Sequence, residues 1–236
     1  MDQKDFSMKN YIYIHTACLP NGAWKEIYDD IISFVPINER ENITSIVLGE
    51  HQSHPIINPT VIRNVGGDYD EVATLQAMWN CARYLKEDAI FYYLHLKGNT
   101  HTGESRKNCD SWRRFMCDLM FRDMSMNERL LKNHDCLGSM LLNNPLHYQG
   151  NFFVCTSSHL KRLPYIMYHK ENRYHESWVT CIQGKYVNLS KNYALVDLYN
   201  NKINPKDHQI DPSYIEQVQY PHGACVQLHY PSCKLN

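Results

Sequence analysis

Residues 64–98 read NVGGDYDEVATLQAMWNCARYLKEDAIFYYLHLKG, and the order of patterns inside this stretch decides the fold. From 71 to 87 the apolar residues recur at helical spacing, with Val72, Leu75, Met78, Trp79, Ala82 and Leu85 on one face. A run of aromatic and apolar residues from Phe91 to Leu94 follows, as in a buried strand. It gives way at once to His95, Lys97, Gly98, Asn99 and His101, so a buried strand presents an imidazole, an ammonium and a glycine turn at its end. Upstream, YIYIH (11–15), SIVLG (45–49) and VIRNVGG (61–67) read as strands, and Trp24 to Phe34 carries helical spacing. The resulting β-α-β-β-α-β order predicts an α/β fold with a mostly parallel central sheet flanked by helices. In such sheets ligands bind beyond the carboxyl ends of the strands, which places the end of FYYLHLKG in the expected site region.

Downstream, GNTHTGESRKNCDSW (98–112) reads as a polar loop of about a dozen residues, a length usually tied to function or disorder. A helix is expected from Ser111 to Asn133, its stripe of Trp112, Phe115, Met116, Leu119 and Met120 packing into the core. CLGSMLL (136–142) is a strand candidate. From about 185 the chain is rich in Tyr, Asn, Pro and His, and predicts an irregular C-terminal tail with short strands wrapping the core. There is no internal repeat or linker, so residues 1–236 read as one domain.

Composition narrows the function classes. With 43% hydrophobic and 21% charged residues, the chain can bury a sizeable core. A formal net charge of −1 argues against a nucleic-acid or membrane-surface partner. No apolar run has the length of a transmembrane segment, and MDQKDFSMKN lacks the pattern of a signal peptide. The nine cysteines include no C-x-x-C pair, which argues against zinc. Cys81, Cys117 and Cys155 lie among apolar or helical residues as small hydrophobes, and free thiols at this density point to a reducing, cytoplasmic compartment. Neither G-x-G-x-x-G nor a phosphate-loop motif is present, so dinucleotide oxidoreductase and P-loop kinase readings are poor.

The 64–98 unit resembles the nucleotide-sugar half of GT-A-type glycosyltransferases, where an N-x-G segment leads through a helix to a strand closed by Asp-x-Asp. Those carboxylates normally hold Mn²⁺ or Mg²⁺ against the donor's diphosphate. Here the corresponding positions are His95-Leu96-Lys97. Cationic side chains can replace a metal in stabilising a diphosphate, so the resemblance implies a metal-independent site, with a divalent cation as the alternative. The chain further resembles a glycosyltransferase-like family from bacterial surface-polysaccharide loci and large DNA viruses. The shared pattern is Glu71, Thr74, Leu75 and Trp79; Tyr93, His95, Lys97 and Gly98; Trp112, Arg113 and Met116; His147, Gly150, Asn151 and Phe152; Leu163 and Pro164; Glu176 and Trp178. It spans roughly residues 10–180, and the tail beyond 185 lies outside it.

The resemblance implies a GT-A-like domain with a nucleotide-binding half (1–100), an acceptor and catalytic half (101–185) and a wrapping tail (186–236). It would move a sugar from a nucleotide-diphosphate donor, a UDP-sugar foremost, to a glycan hydroxyl in polysaccharide biosynthesis. A virus-encoded or membrane-peripheral protein fits the same reading. His15, Thr16, Thr74, His95, Lys97, Gly98 and Asn151 would bind the donor, and Asn99, Arg113 and His147 the acceptor. Glu176 would be the general base of an inverting reaction, with His95 beside it in the catalytic set, and Glu50 would rim the nucleotide pocket.

Simpler roles stand beside these. Glu71 and Thr74 sit at a helix start, where capping explains them as well as ligand contact does. Asp68-Tyr69-Asp70 reads as loop and cap, and Arg106-Lys107 with Arg113-Arg114 as a solvated face or a phosphate grip. His222 and His229 are tail residues that could return to the site. The rival class is a non-catalytic nucleotide-sugar or glycan-binding module on the same fold, motivated by the missing Asp-x-Asp. A nucleotidyltransferase would need paired metal-binding carboxylates, and no such pair can be placed.

Overall fold

A computed structural model describes residues 8–20, 22–49, 51, 54–62, 71–143, 145–167, 174–190, 196–204 and 216–219. Strand β1 (Lys9–Cys18) leads to helix α1 (Trp24–Phe34), a 3₁₀ turn (Ile37–Asn42), β2 (Ile43–Gly49) and β3 (Pro59–Ile62). Helix α2 (Val72–Tyr84) returns the chain to β4 (Ala89–His95), and helices α3 (Gly103–Phe121) and α4 (Met124–Leu131) follow. Then come β5 (Cys136–Gly138), β6 (Leu141–Asn143), β7 (Leu146–Tyr148), β8 (Phe153–Thr156), α5 (Ser157–Arg162) and α6 (Tyr174–Ser177). A 3₁₀ turn (Trp178–Thr180), β9 (Lys185–Asn188) and β10 (Glu216–Gln219) complete the described elements.

The fold is α/β. Eight strands form one sheet in the order β10-β9-β5-β8-β4-β1-β2-β3, while β6 and β7 make a separate hairpin. Four of the sheet's seven pairings are parallel, and three, all involving β8 or β10, are antiparallel. Side chains alternate across the sheet, so each strand feeds two cores. Ile12, Ile14, Tyr92 and Leu94 pack with α1 and α3 on one face. Tyr13, Phe91 and Tyr93 pack with α2 and α5 on the other. β4 is buried along its apolar length because it lies inside the sheet with helices on both faces.

The sequence-based expectations hold for α2 and β4 and fail in identifiable places. The loop expected over 98–112 is short, because α3 begins at Gly103. Arg106 pairs with Asp110 and Glu104 with Lys107 at helical spacing, while buried Cys109 and Trp112 anchor the inner face. The helix expected to reach Asn133 breaks at Asp123, whose side chain accepts a hydrogen bond from the Met126 N–H and starts α4. The CLGSMLL strand is interrupted at Met140, which has φ 53°, and so splits into β5 and β6. The tail does not simply wrap the core, since β9 and β10 extend the main sheet. Asn64, Gly66, Asp68, Asp70, Glu50, His222 and His229 lie outside the described residues.

Candidate active site

The site grows from the register of two strands. β1 and β4 run parallel with Tyr11 beside Phe91, Tyr13 beside Tyr93 and His15 beside His95. All six face the α2 side of the sheet, and at the carboxyl end the stacked rings give way to two imidazoles. Thr16 is the next residue along β1, so it faces the opposite side, where its hydroxyl donates to the Ile14 carbonyl.

Helix α2 starts beside this layer. His15 Nδ1 lies 2.9 Å from Thr74 Oγ1 in the first helical turn. Glu71 Oε2 accepts two hydrogen bonds, from the Tyr93 hydroxyl at 2.6 Å and from Asn151 Nδ2 at 2.7 Å. Glu71 Oε1 lies 3.5 Å from His95 Nδ1, and His95 Nε2 donates to the Gly150 carbonyl at 2.8 Å. The turn that supplies this carbonyl requires glycine. Gly150 has φ +90°, and a Cβ there would stand 2.7 Å from Met116 Sδ and 2.9 Å from Trp112 Cζ2.

Electrostatics separates the two partners. Burial would raise the Glu71 pKa, but the imidazoles of His95, His175 and His15 and the Tyr93 hydrogen bond together bring it down to about 2. That carboxyl titrates in acid. Burial pushes His95 below its ordinary value against the pull of Glu71, and the nearby Lys97 pushes the same way as burial.

Beyond β4 the chain turns tightly, with Asn99 N–H donating to the Leu96 carbonyl at 3.1 Å. Gly98 sits at φ +92° with Cys109 Cβ only 2.8 Å from where its own Cβ would be. The Lys97 ammonium lies 4.1 Å from the Trp112 ring centroid and 5.0 Å from that of Tyr199, and it donates to the Tyr199 hydroxyl at 3.0 Å. Asn99 Nδ2 donates to the Ala17 carbonyl at 2.7 Å, while its buried Oδ1 has no hydrogen-bond partner. Together His15, Glu71, His95, Lys97, Asn99 and Tyr199 help line a cavity of about 250 Å³.

The structure thus brings His15, His95, Lys97, Gly98 and Asn99 to one cavity. Thr74 joins through His15, and Asn151 through Glu71. Arg113 is buried and spends four hydrogen bonds inside the protein, two on Asp30, one on Asp110 and one on the Lys97 carbonyl. It therefore shapes the Lys97 turn from beneath. His147 lies on β7, with Nδ1 2.7 Å from the Pro145 carbonyl, and is not among the cavity residues. Glu176 is half-buried on α6, next to His175, and is not among the cavity residues.

Glu71 and Tyr199 are cavity residues that the sequence-based site assignment missed. Glu71 belongs to the E-x-x-T pattern, yet a carboxylate at a helix start has an adequate explanation as a cap. Tyr199 lies in the tail and carried no signal. It is placed by Leu198 and Ile203, which are buried in the α1–α3 core, and by the Asn108 side chain, which donates to the Tyr199 carbonyl at 3.0 Å.

The sequence model of a family described as a domain of unknown function, DUF8361, matches residues 33–200. The chain belongs to the DUF8361 family. No curated protein and no solved structure matches it. The DUF8361 region contains Glu71, His95, Lys97, Asn99 and Tyr199, whereas His15 precedes it. Among the described residues of this DUF8361 protein, no helix is long and apolar enough to cross a membrane. The seven cysteines among them are free thiols, five of them buried.

Proposed function

We propose that the protein is a glycosyltransferase acting on a nucleotide-diphosphate sugar, a UDP-sugar foremost, and a glycan hydroxyl. The observation that carries this reading is the convergence of His15, His95, Lys97 and Asn99 on one cavity at the carboxyl ends of β1 and β4. In the reaction, the acceptor oxygen bonds to the anomeric carbon as the bond from that carbon to the phosphate oxygen breaks. The nucleoside diphosphate leaves with the electron pair, and Glu176 takes the hydroxyl proton. Lys97 has three N–H donors and spends one on Tyr199, so two remain for the leaving diphosphate. A cavity of about 250 Å³ is smaller than the roughly 300 Å³ at which ligand pockets usually begin. It would take the diphosphate and the transferred sugar rather than the whole donor.

A thermal-shift panel of UDP, GDP and their sugars, with Mn²⁺ or with EDTA, tests the reading. A ligand specific for the native state at 100 times its Kd adds about 2.7 kcal/mol of stability. UDP or a UDP-sugar should stabilise the chain, the effect should survive EDTA, and Lys97→Ala should reduce it. Silence across the panel sinks the proposal. Stabilisation only with Mn²⁺ replaces the metal-independent version with a metal-dependent one.

One observation favours the non-catalytic module as second reading. His95 spends Nε2–H on the Gly150 carbonyl and turns Nδ1 toward Glu71, so neither nitrogen is directed at a substrate hydroxyl. A module binds donor and neither transfers nor hydrolyses it.

A further inference from the structure

Two charged side chains line the cavity with opposite signs, the Lys97 ammonium and the Glu71 carboxylate. A diphosphate seeks the first and is repelled by the second, so the two ends of a donor are sorted by charge. Resting on the glycosyltransferase reading, we infer that Glu71 recognises the transferred sugar, accepting a hydrogen bond from one of its hydroxyls at Oε1 and rejecting donors whose sugar carries a carboxylate.

The carboxylate is built for that task. Oε2 is filled by Tyr93 and Asn151 at 2.6 and 2.7 Å. Oε1 has His95 Nδ1 at 3.5 Å, beyond the range of an ordinary hydrogen bond, so its acceptor capacity is unspent. Its orientation is fixed by donors from β4 and from the turn before β8, and the side chain remains 16% exposed. A group held this way need not be reorganised when ligand arrives. Because the carboxyl titrates near 2, it is an anion at any working pH.

A keystone that only braced the fold would make a different prediction, since its loss would lower stability without changing the ranking of donors. The test is calorimetric titration of UDP, UDP-glucose and UDP-glucuronate into the full chain, then into Glu71→Gln and Tyr93→Phe. The native protein should bind UDP-glucose at least about tenfold more tightly than UDP-glucuronate, the size of a single like-charge contact in a partly buried site. Glu71→Gln removes the charge while its amide oxygen can still accept from Tyr93 and Asn151, and should bring the two donors within about threefold. Tyr93→Phe keeps the carboxylate and should keep the discrimination.

Equal or tighter binding of UDP-glucuronate by the native chain overturns the inference without any variant, so a misfolded Glu71→Gln does not rescue it. An unchanged donor ratio in folded Glu71→Gln overturns it as well and leaves Glu71 a structural brace. In both cases UDP still binds, and the glycosyltransferase reading stands. If neither UDP nor either sugar binds, the functional reading and this inference fall together.

Discussion

His95 and His159 are both imidazoles held near a carboxylate, the first 14% exposed and the second sealed, and they meet opposite fates. His159, on α5, is fully buried. Its Nε2 donates to the Val179 carbonyl at 2.7 Å, and its Nδ1 lies 3.1 Å from Arg162 Nη2, which can only donate. Asp135 accepts from Arg162 at 2.5 Å and from the Lys185 N–H at 2.7 Å. Both ring nitrogens of His159 are answered by protein, and the cluster ties α5 to β9 and the 3₁₀ turn after α6. His95 has the same kind of neighbours but opens onto a cavity beside an ammonium and an unspent carboxylate oxygen. A carboxylate beside a histidine therefore does not distinguish scaffold from site. The distinguishing feature is capacity left unanswered where a ligand can enter.

The sharpest way to break this contrast is His159→Ala. Removing a fully buried ring and stranding the Val179 carbonyl should cost about 3–4 kcal/mol in urea unfolding. Nucleotide binding by the folded fraction should stay within about twofold. A loss below about 1 kcal/mol would show that the cluster is not a structural knot.

The next effect is a pH window. Burial brings the His159 imidazole down to about 4 from 6.5. The unfolded chain then binds the proton first, so stability is full above about pH 6.5 and is lost as pH falls toward 4, by up to about 3 kcal/mol. Glu71 is also depressed, from 4.5 to about 2, so its contribution is lost only below about pH 4.5. Unfolding midpoints measured from pH 7 to 3 should show two successive losses, the first reduced in His159→Gln and the second in Glu71→Gln. A single loss that neither variant alters would refute the assignment.

Smaller effects sharpen the site side of the comparison. Lys97→Ala should weaken UDP binding by about ten- to a hundredfold, yet change stability by no more than about 1 kcal/mol, since the residue gives up only two partly exposed cation–π contacts and one exposed hydrogen bond. Isothermal titration beside urea unfolding separates the two effects, and the reverse pattern would make Lys97 a scaffold residue. Tyr199→Phe removes the hydroxyl that accepts from Lys97 and leaves the ring, so a two- to threefold change in UDP affinity is expected. A larger loss would mean that the phenol itself touches ligand.

Much of this arrangement is legible in the chain. Local periodicity is a property of consecutive residues, so α2 and β4 could be recognised from 71 to 98 without any partner. The strand end also announced itself, because His95, Lys97 and Gly98 interrupt an apolar run where α/β sheets bind ligands. The start of α3 was misjudged because GESRKNCD is polar, and its helical logic depends on ion pairs and on the burial of Cys109 against a core the sequence does not display. Thr16 and Arg113 show the same limit, one turned to the far face by strand alternation and the other drawn inward by Asp30, 83 residues away.

The sequence by itself determined the fold class, the position of the candidate site at the carboxyl ends of the strands and the residue types offered there, because these depend on spacing along one chain. Tertiary structure alone decided which carboxylate faces the cavity, which imidazole is sealed and which aromatic ring receives Lys97. Those outcomes depend on side chains that are distant in sequence: Glu71 is aimed by Asn151, His159 is closed by Val179 and Lys97 is capped by Tyr199. Each is a matter of distances of about 3 Å between segments that only the packed sheet brings together.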